Sequence, residues 1–214
     1  MDVFRRVPHT AQQMQKASNL AHWIIGALFG IVGVLALGSA ASDNARVFHL
    51  WWSGTLTILG ILLTGFIVFH HGLRMLPSWL ADLAEDPQQR QHLTMGVLAT
   101  VGGAAEFALA ARGGAPVLGF VWPAALGIVG GMFVAHTQHG THAAVDRALR
   151  YHRVLGGTLI AAALSALLDV LSPAAFWTYL WPLIVLLAAS LLISYREPEG
   201  AWEGPEERHA AHEG

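Results

Sequence analysis

Long apolar stretches alternate with short polar ones along the whole chain. A helix that crosses a lipid bilayer needs about 20 mostly apolar residues, and the sequence contains six such stretches. Approximately, they are residues 19–40, 47–71, 93–112, 115–137, 153–171 and 174–195. The pattern therefore predicts an all-α polytopic membrane protein with six transmembrane helices. A polar amphipathic segment, residues 1–18, precedes them, and a disordered charged tail, residues 196–214, is expected to follow.

The composition agrees with a membrane protein and excludes several other classes. Of the 214 residues, 54% are hydrophobic and 12% are charged, about half the charged fraction of a soluble domain. The formal net charge of -2 gives no basic field for a nucleic-acid backbone, so the expected partner is the lipid bilayer and not nucleic acid. Because the chain has no cysteine, any metal must be held by nitrogen or oxygen.

The basic residues favour one side of the membrane. Side A denotes the side on which the chain begins, and side B the opposite one. Only Arg46 and Arg112 fall on side B, whereas the other ten of the 12 Lys and Arg residues fall on side A. By the positive-inside rule, side A is cytoplasmic. The sequence therefore predicts a protein of the bacterial cytoplasmic membrane with cytoplasmic N- and C-termini.

Histidine is the unusual residue in the composition, because its count of 12 equals that of Lys and Arg together. All but His49 fall on side A. Imidazole is the commonest protein metal ligand and suits copper, zinc and iron. We therefore predict a transition-metal site on side A, copper first, served by a redox or metal-delivery partner. The candidate ligands are His70, His71, His92, His136, His139, His142 and His152.

The order of Phe, His and Gly predicts a duplicated helical hairpin, with repeats at about 47–112 and 115–171. Each repeat has Phe, then His-Gly, a side-A loop and His-x-x-x-Gly. The four helices would form a core related by a two-fold axis along the membrane normal, with the first and last helices flanking it. The predicted cofactor-binding residues are the corresponding histidines of the two repeats: His71, His92, His139 and His152.

One acidic residue, Glu106, lies inside a predicted membrane span. A carboxylate within the membrane is costly, and such residues serve as proton or ion relays or as paired structural groups. Glu106 falls nearer side B, where His49 is the natural partner to test. We therefore predict that Glu106 and His49 form an intramembrane relay.

Two family resemblances extend these predictions. Six helices with a four-helix histidine-bearing core resemble the cytochrome b561 architecture, which implies haem b and transmembrane electron transfer. That family has haem ligands on both sides of the membrane, whereas the core histidines here lie on side A. The resemblance therefore leaves a single haem on side A, held by opposed histidines such as His71 with His139 or His92 with His152.

The second resemblance is to small histidine-rich bacterial proteins of copper resistance, broadly copper-resistance-D-like. It rests on the apolar helices, the missing cysteine and the clusters His70-His71 and His136/His139/His142. It implies copper binding or transfer at the membrane, usually on the external side, which conflicts with a cytoplasmic side A. A third hypothesis is a membrane His-cluster metalloenzyme, in which the metal activates oxygen or water. The sequence does not decide whether the protein is an enzyme.

Overall fold

The protein is a bundle of membrane-length helices. The computed structural model describes residues 10–70, 83, 87–113, 115–136, 141–172 and 174–201, with the backbone alone at residues 67, 69 and 70. Six helical spans are long and apolar enough to cross a membrane, which confirms the predicted all-α class. The helices are α1 (Ala11–Ala41), α2 (Ala45–His70), α3 (Pro87–Arg112), a 3₁₀ helix (Pro116–Phe120) continued by α4 (Val121–Val134), α5 (His142–Leu171) and α6 (Ala175–Ser194).

Several helices begin earlier on side A than the apolar stretches indicate. Thr10 caps α1, because its hydroxyl accepts from Gln13 N at 3.2 Å while Gln13 Oε1 accepts from Thr10 N at 2.9 Å. Thr141 caps α5 in a similar way, its hydroxyl accepting from Ala144 N. A polar side chain in the headgroup region does not interrupt a helix. The polar segment predicted at 1–18 therefore contains, from Ala11 onward, the first turns of α1.

The six spans form a ring. Each helix packs against its neighbours in the sequence, and α1 packs against α6 to close the circle. The two hairpins of the predicted duplication are the pairs α2/α3 and α4/α5, which pack closely, and α1 and α6 complete the ring beside them. Apolar side chains on the outer surface, such as Val34, Ile61 and Leu187, are more than half exposed. This outer surface suits a lipid environment.

The two hairpins share one packing device. A Cβ added at Gly96 of α3 would lie 2.9 Å from the backbone nitrogen of Thr64, and one added at Gly156 of α5 would lie 2.9 Å from that of Val134. Glycine at these positions therefore lets paired helices approach closely. Each of these glycines follows a histidine by four residues, His92 in α3 and His152 in α5. The shared crossing agrees with a duplication, although the duplication itself stays a prediction.

The chain after α6 folds back onto side A. Glu197, Pro198 and Ala201 are buried, and the backbone nitrogen of Thr141 donates to Gly200 O at 3.1 Å. The prediction of a disordered tail from residue 196 is therefore wrong for residues 196–201. The sequence signal was misleading because charge and glycine content do not reveal specific hydrogen-bond partners on other helices. Residues 202–214 of the predicted tail lie outside the described part of the chain.

Candidate metal centre and its surroundings

Four imidazole rings come together at the side-A end of the ring. His22 lies on α1, His92 on α3, His136 just after α4, and His152 on α5. The ring centroids are 5.6 Å apart for His92 and His136, 4.3 Å for His136 and His152, and 6.3 Å for His22 and His152. Distant parts of the sequence thus place four nitrogen ligands in one cluster, which we call the histidine cluster.

Backbone carbonyl groups orient two of these rings. His22 Nδ1 is 2.8 Å from Ser18 O, and His92 Nδ1 is 2.8 Å from Gln88 O. Because a carbonyl oxygen only accepts, Nδ1 is the protonated nitrogen in both rings, and the lone pair lies on Nε2. A histidine that ligates a metal through one nitrogen usually donates its other N–H to such a carbonyl. These two rings therefore have the tautomer of a metal ligand.

The other two rings are deeply buried. His152 is 3% exposed and His136 is 5% exposed, and Phe133 stacks on His152 with ring centroids 5.6 Å apart. His152 Nδ1 is buried, and the ring interacts with the backbone carbonyl group of Ala148, four residues earlier. The nitrogens of a buried imidazole need such polar partners, because burying them unsatisfied is costly.

A cavity of about 340 Å³ extends from the histidine cluster towards the middle of the bundle. Apolar side chains make up most of its wall, including Phe29, Leu59, Met95 and Leu126. All four histidines line it. Cavities of roughly 300–1,000 Å³ with apolar walls and a few polar groups are typical of sites for organic ligands and cofactors. The site thus combines metal-ligating nitrogen with room for an organic group.

Tyr195 and Glu197 complete the cluster on the side of α6. The Tyr195 ring centroid lies 4.5 Å from that of His22 and 5.3 Å from that of His152. Glu197 accepts from Ser18 Oγ at 2.6 Å and from Tyr195 Oη at 3.2 Å. Burial, reinforced by the negative charge of Glu197, raises the pKa of the Tyr195 hydroxyl above its ordinary value. Tyr195 therefore stays a neutral hydrogen-bond donor at physiological pH.

The structure groups some of the predicted ligands and leaves others apart. His92, His136 and His152 belong to the histidine cluster, whereas His142 is exposed at the start of α5. His71 and His139 lie outside the described residues, and His70 is described by its backbone alone. Within the described part of the chain, no group of three His, Asp or Glu side chains is arranged to hold a bare metal ion.

The sequence places His22 on side A, but His22 is not among the predicted ligands. Tyr195 and Glu197 are not among the predicted site residues either. A signal for His22 existed, since it sits near the polar end of α1 at the same depth as the other side-A histidines. For Tyr195 and Glu197 no comparable pattern exists, because their role depends on α6 packing against α1.

At side B, the structure brings together the two predicted relay residues. His49 Nε2 lies 2.9 Å from Glu106 Oε2, which joins α2 to α3. Glu106 is 6% exposed, and the His49 ring stacks on Trp52 with centroids 4.9 Å apart. The structure thus places the two relay candidates in contact, while their role as a relay stays a prediction.

Comparisons with known proteins assign no family: no family model matches the chain, and no curated protein matches it. The resemblances to cytochrome b561 and to copper-resistance proteins therefore stay predictions. The chemistry of the two ends of the bundle is therefore the guide to the function.

Proposed function

We propose that this is an integral membrane electron-transfer protein whose side-A cavity would bind b-type haem, held by imidazoles of the histidine cluster. One observation carries the proposal: four imidazoles from different parts of the ring line a largely apolar cavity of about 340 Å³. Imidazole is a common axial ligand of haem iron. The proposal keeps His92, His136 and His152 of the predicted ligands and adds His22.

The cavity favours haem over a bare ion. A metal ion held by protein side chains needs little space beyond its ligands, whereas a porphyrin needs a large apolar slot. The His22 and His152 centroids are 6.3 Å apart, a separation that leaves room for one iron atom between two imidazole rings. The deep burial of His152 fits the same chemistry, because rotation of this ring would present one nitrogen to iron.

The chain itself has two tasks at this site. Ser18 and Gln88 orient imidazoles through their carbonyl oxygens, and apolar side chains such as Phe29 and Leu126 keep water away. Haem, when bound, supplies one-electron redox chemistry. Arginines concentrated at side A support a cytoplasmic orientation of this end, so the electron partner would meet the protein there.

A bare copper ion is the second candidate, because part of the cluster is compact. The His136 centroid lies 4.3 Å from that of His152 and 5.6 Å from that of His92. Small rotations of these three rings would direct their nitrogens towards one point. Copper accepts imidazole ligands readily, so copper binding would require these ring rotations but not the cavity.

An absorption spectrum of the purified protein separates the two candidates. The full chain is produced with haem precursor supplied, and spectra are recorded before and after dithionite reduction, with elemental analysis of the same sample. We expect a Soret band that shifts on reduction, and iron close to one atom per chain. A featureless spectrum with stoichiometric copper would overturn the haem proposal in favour of the second candidate.

Single substitutions test which histidines are ligands. His152→Ala and His22→Ala should each abolish or shift the Soret band, because a buried axial nitrogen is lost. His142→Ala is the matched control, since His142 is exposed at the side-A end of the same helix as His152. Equal spectra for all three variants would contradict the assignment of ligands to the histidine cluster.

A further inference from the structure

A second cavity, of about 270 Å³, lies at the side-B end of the bundle. It is lined by residues of α1, α2, α3, α4, α5 and α6. Trp122 lines both this cavity and the one at side A. The side-B cavity is large enough for a small organic molecule, and its wall differs in chemistry from the histidine cluster.

Acidic groups dominate the polar part of this wall. Glu106 and Asp169 both line the cavity, and His49 is the basic group beside them. Neither Lys nor Arg is among the described residues of the wall. Whichever protonation state His49 takes, the carboxylates outnumber it. The electrostatic preference of the cavity is therefore for a cation.

Asp169 is the less satisfied of the two acids. It accepts a hydrogen bond from Thr178 Oγ1 at 2.6 Å, but the described residues give it no cationic partner. It lies near the side-B end of the membrane-length helix α5 and is partly buried, so a carboxylate there without a countercharge has a cost. Glu106, in contrast, is paired with His49 at 2.9 Å. Asp169 is thus placed to receive a positive charge from a ligand.

Indole rings form the apolar part of the wall. Trp52, Trp122 and Trp181 all line the cavity. The Trp52 centroid lies 6.3 Å from that of Trp122 and 5.5 Å from that of Trp181, so the three rings form one aromatic group. Tryptophan attracts organic cations most strongly among the aromatic residues, and aromatic groups are a common means of binding quaternary ammonium groups.

We propose that the side-B cavity binds a small organic ammonium cation. The alkylated nitrogen would lie among the three indoles, with Asp169 and Glu106 supplying the countercharge. Inorganic cations fit the same acids but gain little from an apolar aromatic wall, because they keep their hydration. The combination of carboxylates and indoles therefore selects an organic cation over both a metal ion and a neutral molecule.

Equilibrium binding of labelled choline to the full chain in lipid nanodiscs tests this proposal. The competitor 3,3-dimethylbutan-1-ol has the same shape with carbon in place of the charged nitrogen. We expect saturable choline binding and competition at least roughly tenfold weaker by the neutral alcohol. Equal competition by the alcohol, equal displacement by Na⁺, or no saturable binding at millimolar choline would each overturn the proposal.

Substitutions locate the binding at this cavity. Asp169→Asn should weaken choline binding roughly fivefold or more, whereas Asp146→Asn changes an exposed acid at the other end of the same helix and should not. Trp52→Leu should weaken binding, and Trp51→Leu, at a residue 65% exposed, should not. If choline binds equally to Asp169→Asn and Asp146→Asn, both shown to be monodisperse, the proposal is wrong.

Discussion

Each end of the helical ring contains a cavity, and the polar groups that line the two cavities differ in chemistry. At side A the polar groups are imidazoles that present lone pairs, and the wall around them is aliphatic and phenyl. At side B they include two carboxylates beside one imidazole, and three indoles form part of the apolar wall. The same six helices line both cavities. A single bundle can therefore present two chemically different cavities, because the residues at each helix end differ.

Cofactor retention should separate the two ends most sharply. His152→Ala removes a buried nitrogen of the histidine cluster, so we expect complete loss or a large shift of haem absorbance. His49→Ala, at side B, should leave the haem spectrum of the wild type intact. Absorption spectra of the two purified variants at equal protein concentration provide the measurement. Loss of haem from His49→Ala alone would show that the ends are not independent.

The next effect concerns stability at side B. His49→Ala leaves the carboxylate of Glu106 buried without its partner, which should reduce the free energy of unfolding by about 2 kcal/mol. The cost is below that of a fully enclosed pair because the His49 side chain is 26% exposed. Reversible unfolding in mixed micelles measures the change.

The double variant His49→Ala/Glu106→Leu provides the control for this pair. It removes the buried carboxylate together with its partner, so it should recover part of the lost stability. If the free energy of unfolding of His49→Ala lies within about 0.5 kcal/mol of the wild-type value, the pair contributes little to stability.

A smaller change is expected from Glu197→Ala at side A. Ser18 and Tyr195 would lose their shared acceptor, which should reduce the free energy of unfolding by about 1 kcal/mol. Cleavage after α6 should also become faster in limited proteolysis, because residues 197–201 are then less firmly held. Glu199→Ala, at an exposed position in the same segment, is the control. Equal cleavage rates in both variants would contradict this role of Glu197.

The smallest effect is a pH dependence at side A. Since burial raises the pKa of Tyr195 in the folded state, its contribution to stability is present below about pH 10 and is lost as pH rises above that value. The free energy of unfolding should therefore fall as the pH rises above about 10, and Tyr195→Phe should reduce the slope. Tyr179→Phe, which loses a hydrogen bond to Ala40 O at side B, is the control. An unchanged slope in Tyr195→Phe would be evidence against the contribution of this hydroxyl.

Much of the fold could be predicted because membrane spans leave a strong signal. An apolar run of about 20 residues has few alternatives to a transmembrane helix. The helix starts were harder to place, since the turns after Thr10 and Thr141 are polar yet capped. The depth of each polar residue along its helix could also be predicted. Depth alone made His49 the partner to test for Glu106, and the two side chains are in contact.

The rest of the candidate site depends on which helices are neighbours around the ring. His22 joins the histidine cluster because α1 packs against α6 and closes the circle, and no periodicity in one helix reports that closure. Glu197 is held by Ser18 and Asn19 of α1, 178 or more residues earlier in the chain. Hydrogen bonds over such distances leave no local pattern in the sequence.

The closure of the ring by α1 and α6 also sets the order of biogenesis. Ser18 and His22 of α1 are synthesised before the other five described spans, whereas Tyr195 and Glu197 follow α6. The wall of the side-A cavity is complete only when α6 has been inserted and has packed against α1. A chain in which α6 has not yet been inserted therefore has no finished cavity at side A.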